Sequence, residues 1–127
     1  MDKKQLGKWG EELSYQFLVD NGYRIIYQSY RCPLGEIDII AFKDDTLVFV
    51  EVKTRRSVSF GTPAEAVNYR KQIKYIKTAL YFIKDEKRWQ HSSYRFDIIE
   101  VYVGQNDSVN INHIPDAYQS KGSKYFF

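Results

Sequence analysis

The chain has 127 residues, of which 43% are hydrophobic and 28% are charged, so a single domain can bury a core without covalent cross-links. Its one cysteine, Cys32, excludes a disulfide framework, and the two distant histidines, His91 and His113, do not complete a thiolate zinc site. No apolar run is long enough to cross a bilayer, and the N-terminus lacks the apolar core of a signal peptide. We therefore expect a cytoplasmic protein with no membrane partner.

The net charge of +3 is distributed unevenly along the chain. Residues 53–77 contain seven basic residues and one acidic residue, a net charge of +6, so the remaining residues sum to −3. A basic block of this kind attracts phosphate-rich partners, although a basic helix face is more often only solvated. The 17% aromatic content suits a nucleic-acid-binding protein and an ordinary small core equally well.

The first half of the chain predicts one helix followed by three strands. Apolar side chains three and four residues apart predict a helix over residues 3–20, and Asn21 with Gly22 ends it. Strands are predicted over residues 23–30, 36–42 and 47–53, the last two joined by a polar turn at 43–46. The third strand is apolar on both faces until its C-terminal end, which is typical of a strand in the centre of a sheet.

The second half predicts a helix and two further strands. Thr62, Pro63 and Glu65 form a capping box that starts the second helix. One apolar face of this helix contains Ala66, Tyr69, Ile73, Ile76, Leu80 and Ile83. Strands follow near residues 95–103 and 109–114, the last at a sheet edge. We predict a single α/β domain of order α-β-β-β-α-β-β over residues 1–127, with a mixed sheet flanked by helices, a core at about 5–114 and a tail at 115–127.

The predicted hairpin brings two carboxylates together. If Phe42 pairs with Leu47, then Asp38 lies opposite Glu51, and Glu36 lies opposite Lys53. Because side chains alternate along a strand, all four project from one face. Like charges directly across a strand pair are destabilising, and a bound Mg²⁺ would compensate them. A one-residue slip in register would move Asp38 to the other face, and charged residues at strand ends are more often solvated or ion-paired.

Lys53 adds a cation on the same side as Glu51. A metal held by carboxylates can activate a water near neutral pH, and an adjacent ammonium can orient that water and neutralise charge on the phosphate. The pattern of Asp38, Glu51 and Lys53 therefore has a coherent use in hydrolysing phosphodiesters.

At these residues the sequence resembles a known family. Gly35–Ala41, Leu47–Arg55, Gly7-x-x-Gly10-Glu11 and Phe60-Gly61-x-Pro63-x-Glu65-Ala66-Val67 resemble the YraN family of small bacterial proteins. That resemblance covers roughly residues 5–103 and implies a restriction-endonuclease-like fold, similar in outline to archaeal Holliday-junction resolvases. The family is poorly defined in function, so the fold transfers more safely than any substrate.

The resemblance also implies roles for particular residues. Asp38, Glu51 and Lys53 resemble the catalytic Asp and Glu-x-Lys of that nuclease superfamily, with the backbone carbonyl of Val52 as a further ligand of Mg²⁺ or Mn²⁺. Glu11 resembles the helix-1 glutamate that completes the acidic site; the local pattern does not separate it from Glu12, and a solvated helix face is the alternative. Weaker candidates are Glu36, as a support or ion pair of Lys53, and Gln72, whose spacing departs from the helix glutamine of exonuclease-type relatives.

A separate set of basic residues is predicted to contact the phosphate backbone, which would make binding salt-sensitive and tolerant of sequence. It comprises Arg55, Arg56, Arg70, Lys71, Lys74 and Lys77. Tyr75 is a candidate for base stacking, whereas Tyr69 lies on the apolar face and is expected in the core. Asp97 is expected to pair with Arg95 or another neighbour.

The strand register predicts a site, and the resemblance implies that this site belongs to a Mg²⁺- or Mn²⁺-dependent endonuclease acting on DNA. The substrate could be branched, single-stranded or flapped DNA, among which the sequence does not choose, and the resolvase resemblance suggests branched DNA and a homodimer. The first alternative is a nucleic-acid-binding module that keeps the fold without catalysis. The second is a protein-interaction subunit whose partner supplies the activity.

Overall fold

The computed structural model describes residues 1–56 and 69–119. Its helices are α1 (Lys3–Asp20) and α2, described over Tyr69–Asp85, and its strands are β1 (Arg24–Cys32), β2 (Gly35–Lys43), β3 (Thr46–Arg56), β4 (Ser93–Val103) and β5 (Val109–Tyr118). The five strands form one sheet in the order β1-β2-β3-β4-β5, with β3 and β4 parallel and the other neighbours antiparallel. The predicted α/β class and the order α-β-β-β-α-β-β are confirmed.

The sheet separates two apolar clusters. Along β3, Val48 and Val50 pack with α1 residues such as Leu6 and Leu18, while Leu47 and Phe49 pack with Phe82 of α2. Since side chains alternate along a strand, α1 and α2 cover opposite faces of the sheet. Residues 47–50 are all fully buried, which confirms the prediction of a central strand buried on both faces.

The β2–β3 hairpin has the predicted register. Phe42 pairs with Leu47, and the ladder continues to Ile39 and Val50. The turn is tighter than expected, because Lys43 also pairs with Thr46 and leaves only Asp44 and Asp45 unpaired. Their φ angles of 51° and 57° lie in the left-handed region, which Asp tolerates and a two-residue hairpin turn requires.

Three features differ from the sequence-based expectation. Strand β5 continues to Tyr118, so residues predicted as the start of a tail belong to the sheet. In α2 the buried residues are Ile76, Thr78, Ala79 and Phe82, so the buried face shares Ile76 with the predicted one and is rotated from it by part of a turn. Tyr69, expected in the core, is 68% exposed. The capping box at Thr62, Pro63 and Glu65 lies outside the described residues.

A buried charged cluster lies on the α1 face of the sheet. Asp97 is fully buried and accepts hydrogen bonds from Arg95 Nε at 2.9 Å and from the Asp116 backbone at 2.9 Å. His113 Nε2 lies 2.7 Å from the same carboxylate. The predicted Arg95–Asp97 pair is confirmed, and its partners from β5 tie this edge strand to β4.

No helix within residues 1–56 and 69–119 combines the length and the apolar character needed to span a membrane.

Candidate nuclease site

A cleft of about 730 Å³ opens between the β1–β2 turn and α2, on the face of the sheet that α2 covers. The β1–β2 turn forms one wall with Cys32, Pro33 and Leu34. The opposite wall is the described first half of α2, and the floor is where β2 and β3 cease to pair. Its remaining lining residues are Arg31, Gly35, Glu36, Asp38, Glu51, Val52, Lys53, Lys71, Lys74, Tyr75 and Thr78. The structure therefore brings Asp38, Glu51 and Lys53 into one cavity, as the sequence predicts.

Asp38 lies just beyond the last paired residues of the hairpin. Its carboxylate Oδ2 accepts a hydrogen bond from the Val52 backbone at 2.8 Å, so the side chain links the two strands where the ladder ends. The pKa of Asp38 is raised from 3.8 to about 6, first by burial and then by the negative charges of Glu11 and Glu51. The hydrogen bond from Val52 opposes this shift. A carboxyl group in this position favours a nearby cation.

Tyr75 of α2 contacts the same residue. The Asp38 backbone N–H donates to the Tyr75 hydroxyl at 3.2 Å, and a hydrogen bond between this hydroxyl and the Asp38 carboxylate lowers the pKa of Asp38 against the effect of burial. Tyr75 therefore holds Asp38 in place from the helix side and does not present a free ring for base stacking.

Glu51 and Lys53 form an ion pair at the floor of the cleft. Lys53 Nζ lies 2.8 Å from Glu51 Oε2, and the side chains are only 18% and 8% exposed. The second carboxylate oxygen of Glu51, Oε1, is buried and has no hydrogen-bond partner among the described residues. A buried carboxylate oxygen without a partner is costly, and a bound cation would satisfy it. This oxygen is the structural feature that makes the cleft suitable for binding a metal ion.

Glu11, on α1, does not line the cleft but interacts with Asp38 through its negative charge. Gly10 lets the helix lie directly against β3, because a Cβ at this position would overlap the Thr54 side chain. The next residue, Glu11, is half-buried, whereas Glu12 is exposed. Burial and then the charge of Glu36 raise the pKa of Glu11, and Glu11 in turn raises that of Asp38. The partial burial of Glu11 and its charge interaction with Asp38 therefore favour Glu11 over Glu12 as the helix-1 glutamate of the site.

The described residues contain no group of three or more His, Cys, Asp or Glu side chains close enough to share one metal ion. Asp38 and Glu51 are therefore the two protein carboxylates on which a metal site would be built, and Val52, whose carbonyl is the predicted further ligand, also lines the cleft. This ligand count suits Mg²⁺ or Mn²⁺, which are commonly held by one or two carboxylates and keep several waters. Glu11 stays a predicted ligand, and its charge acts on Asp38.

The two weaker candidates are placed differently from each other. Glu36 lies at the rim of the cleft and pairs with Arg31 across β1 and β2, with Arg31 Nε at 3.1 Å from Glu36 Oε2. Both side chains are largely exposed, so the ion pair predicted with Lys53 is replaced by one that contributes little. Gln72 is half-buried and is not among the residues that line the cleft.

Two of the six predicted phosphate-contacting residues, Lys71 and Lys74, line the cleft on the α2 side. The positive charge of Lys53 lowers the pKa of Lys71, which shows that the cations of α2 and β3 face one another. The other four lie on the exposed surface outside the cleft: Arg55, Arg56, Arg70 and Lys77.

Sequence reasoning missed the cleft wall formed by Cys32, Pro33 and Leu34, and the contact of Tyr75 with Asp38. The sequence does indicate this wall, because Pro33-Leu34-Gly35 directly precedes Glu36 and is typical of a turn between strands. The position of Tyr75 had none, because it depends on how α2 is rotated against the sheet.

The protein is thus an α/β protein whose mixed sheet presents paired carboxylates and a lysine in a cleft lined by cations. Residues 10–101 match the family described as "Uncharacterised protein family UPF0102". The chain is 49% identical over 119 residues to a UPF0102 protein of Caldicellulosiruptor bescii, covering 93% of this chain and 100% of that protein. It is 44% identical over 117 residues to a UPF0102 protein of Clostridium acetobutylicum, covering 91% and 95%. The chain belongs to the UPF0102 family, which confirms the predicted YraN resemblance.

Proposed function

We propose that this protein is a Mg²⁺- or Mn²⁺-dependent nuclease that hydrolyses phosphodiester bonds in DNA. The observation that carries the proposal is the buried Oε1 of Glu51, which has no hydrogen-bond partner within residues 1–56 and 69–119; it lies in the same cleft as Asp38, and the other oxygen of Glu51 contacts Lys53. In a purely structural ion pair both carboxylate oxygens have hydrogen-bond partners, whereas a carboxylate that binds a metal ion leaves one oxygen available to coordinate it. The position of these groups at the floor of an open cleft supports a substrate-binding role.

In this proposal Asp38, Glu51 and the Val52 carbonyl hold the metal ion, and Glu11 adds negative charge behind them. The bound ion supplies Lewis-acid polarisation of the phosphate and lowers the pKa of a coordinated water. Lys53 orients the attacking water and neutralises charge that develops on the phosphate oxygens. The water oxygen bonds to phosphorus, the phosphorus–oxygen ester bond breaks with its electron pair on the departing oxygen, and that alkoxide takes up the proton that the water releases.

The cations of the α2 wall support a nucleic-acid substrate. Lys71 and Lys74 line the cleft and Lys53 lies at its floor, so a phosphodiester above the carboxylates meets positive charge on two sides. The neighbouring surface adds Arg55 and Arg70, both exposed. Contacts of this type bind the backbone without reading bases, so cleavage is expected to tolerate sequence and to weaken with salt.

The test compares two matched substitutions. Wild type, Asp38→Asn and Asp44→Asn are incubated with a panel of single-stranded, duplex and branched DNA in Mg²⁺ or Mn²⁺. Asp44 lies in the exposed β2–β3 turn, where Asn also tolerates a positive φ, so it controls for the chemistry of the exchange. Cleavage by wild type and Asp44→Asn, with loss in Asp38→Asn, supports the proposal. No cleavage of any substrate in either metal contradicts it.

One observation favours the second candidate, a nucleic-acid-binding module without catalysis. The described residues lack a group of three metal-binding side chains, so the site has fewer protein ligands than many nucleases. Titration calorimetry with Mn²⁺ separates the two candidates. A nuclease is expected to bind Mn²⁺ in wild type and Asp44→Asn and to lose that binding in Asp38→Asn. Tight DNA binding without any Mn²⁺ binding at millimolar metal would favour the module.

A further inference from the structure

The carboxylates at the floor of the cleft are recessed from the protein surface. The Glu51 side chain is 8% exposed and that of its partner Lys53 is 18% exposed. The walls that rise around them are the β1–β2 turn on one side and α2 on the other. A reacting phosphate must therefore enter the cleft to reach these groups.

The cleft is bounded where its two walls touch. Gly35 lies so close to α2 that a Cβ would come within 2.8 Å of Thr78 Oγ1, and its φ of 154° suits only glycine. The Thr78 hydroxyl is itself held in place, since it donates to the Lys74 carbonyl at 2.8 Å. The volume of about 730 Å³ is that of a small-molecule pocket. A rigid duplex can bring its phosphates to such a floor only if both walls fit into its grooves, whereas one flexible strand can enter between them.

The two walls differ in chemistry. Lys71 and Lys74 supply positive charge from α2, while Cys32, Pro33 and Leu34 supply an apolar surface from the β1–β2 turn. Leu34 is 45% exposed, so this turn carries a large apolar side chain into solvent at the rim. In a duplex the faces of the bases are covered by stacking, and such a wall contacts a base only after the base has left the stack. A cationic surface for the backbone together with apolar side chains that contact unstacked bases is an arrangement that suits single strands.

We infer that this cleft accepts a strand whose bases are unpaired, as in single-stranded DNA or a single-stranded tail, and that continuous duplex is a poor substrate. The inference deepens the proposed nuclease function and rests on it for the chemistry. The backbone lies along Lys53, Lys71 and Lys74, and a base beside the reacting phosphate lies against Leu34.

The test measures binding separately from cleavage. Fluorescence anisotropy in EDTA compares a short single strand, the blunt duplex of the same sequence, and that duplex with a single-stranded tail. Wild type is expected to bind the single strand and the tailed duplex at least about tenfold more tightly than the blunt duplex. Leu34→Ser should weaken single-strand binding by about tenfold, the scale of losing the burial of one apolar side chain, and leave duplex binding unchanged.

Val19→Ser is the matched control. Val19 is 41% exposed and lies on α1, which covers the other face of the sheet, so this variant should bind all three DNAs as wild type does. Equal affinity for single strand and duplex, or equal loss for both in Leu34→Ser, would overturn the inference.

A cleavage arm in Mn²⁺ separates this inference from the proposed function. Cuts confined to the unpaired tail support both. Duplex cut as fast as single strand overturns the inference and leaves the nuclease function standing. Preferential, Leu34-dependent binding of single strands without cleavage supports the assignment of the cleft and contradicts the hydrolysis.

Discussion

Replacing Asp38 with Asn is expected to stabilise the metal-free protein at neutral pH. Asn keeps the shape of the side chain and an oxygen that can accept the hydrogen bond from Val52, which Asp38 receives at 2.8 Å. It removes the negative charge that burial and the neighbouring Glu11 and Glu51 disfavour. The substitution would therefore abolish the proposed activity while making the fold more stable, a trade-off typical of functional sites.

The magnitude follows from the pKa of Asp38. A rise from 3.8 to about 6 corresponds to about 3 kcal/mol in the free energy of unfolding, at 1.36 kcal/mol for each pKa unit. Because the folded state holds the proton more tightly, wild type loses stability as the pH rises from about 4 to about 6. The advantage of Asp38→Asn should therefore be absent near pH 3, about half-developed near pH 5 and complete above pH 7.

The assay is urea unfolding in EDTA at pH values from about 3 to 8, with Asp44→Asn as the exposed control. Added Mn²⁺ should stabilise wild type and leave Asp38→Asn unchanged, since a ligand that binds only the folded state raises its stability. A stability difference that does not change with pH, or a less stable Asp38→Asn at pH 7, would refute the reasoning about this carboxylate.

Three further predictions concern the packing of α1, the buried charges and the cationic wall. Gly10→Ala should lower the free energy of unfolding by about 1–3 kcal/mol, because the added Cβ would overlap the Thr54 side chain. Gly7→Ala should raise it by up to about 1 kcal/mol, because there is open space around the added Cβ. Urea unfolding of both variants checks this, and equal effects would contradict the close approach of α1 to β3. Asp97→Asn should destabilise the protein by about 3 kcal/mol at pH 7 by breaking a buried charged cluster. Since its partners His113 and Arg95 hold the pKa of Asp97 below 3.8, wild type loses this contribution only as the pH falls below about 4, and unfolding at pH 7 and pH 3 should show the difference narrowing in acid. Lys74→Gln should weaken DNA binding for all sequences and reduce the slope of log affinity against log salt by about 1. The control Lys8→Gln, on α1, should change neither the affinity nor the slope. An unchanged slope for Lys74→Gln would show that this lysine does not contact phosphate.

The sheet was predictable because its signals are local. Strand β3 is apolar at every position from Leu47 to Val50, which indicated a central strand. The polar turn fixed the register of the hairpin, in which Asp38 and Glu51 directly follow the last paired residues, Ile39 and Val50. A register fixed by a short turn determines every side-chain face along both strands. The main elements of the site therefore followed from the sequence.

What the sequence did not predict depends on how α2 lies against the sheet. The predicted apolar face of α2 included Tyr69 and did not include Thr78, yet Tyr69 is exposed and Thr78 is fully buried with its hydroxyl donating to the Lys74 carbonyl. A tyrosine can satisfy its hydroxyl in solvent or at a polar site, and a threonine can satisfy its own on the preceding turn. Hydrophobicity alone therefore misplaced the buried face by part of a turn, and with it the contact between Tyr75 and Asp38.

The cleft contains two unfavourable charge arrangements of opposite sign. Burial and like charge raise the pKa of Asp38, while Lys53 lowers the pKa of Lys71 across the same cavity. A cation alone would reduce the repulsion between the carboxylates but increase the excess of positive charge beside the lysines. An anion alone would reduce the repulsion between the lysines but increase the excess of negative charge beside the carboxylates. A divalent cation together with a phosphate group relieves both, because each places its charge beside the side chains of opposite sign. This charge pattern supports the proposed binding of a metal ion together with a phosphate group, and each ion is expected to strengthen the binding of the other.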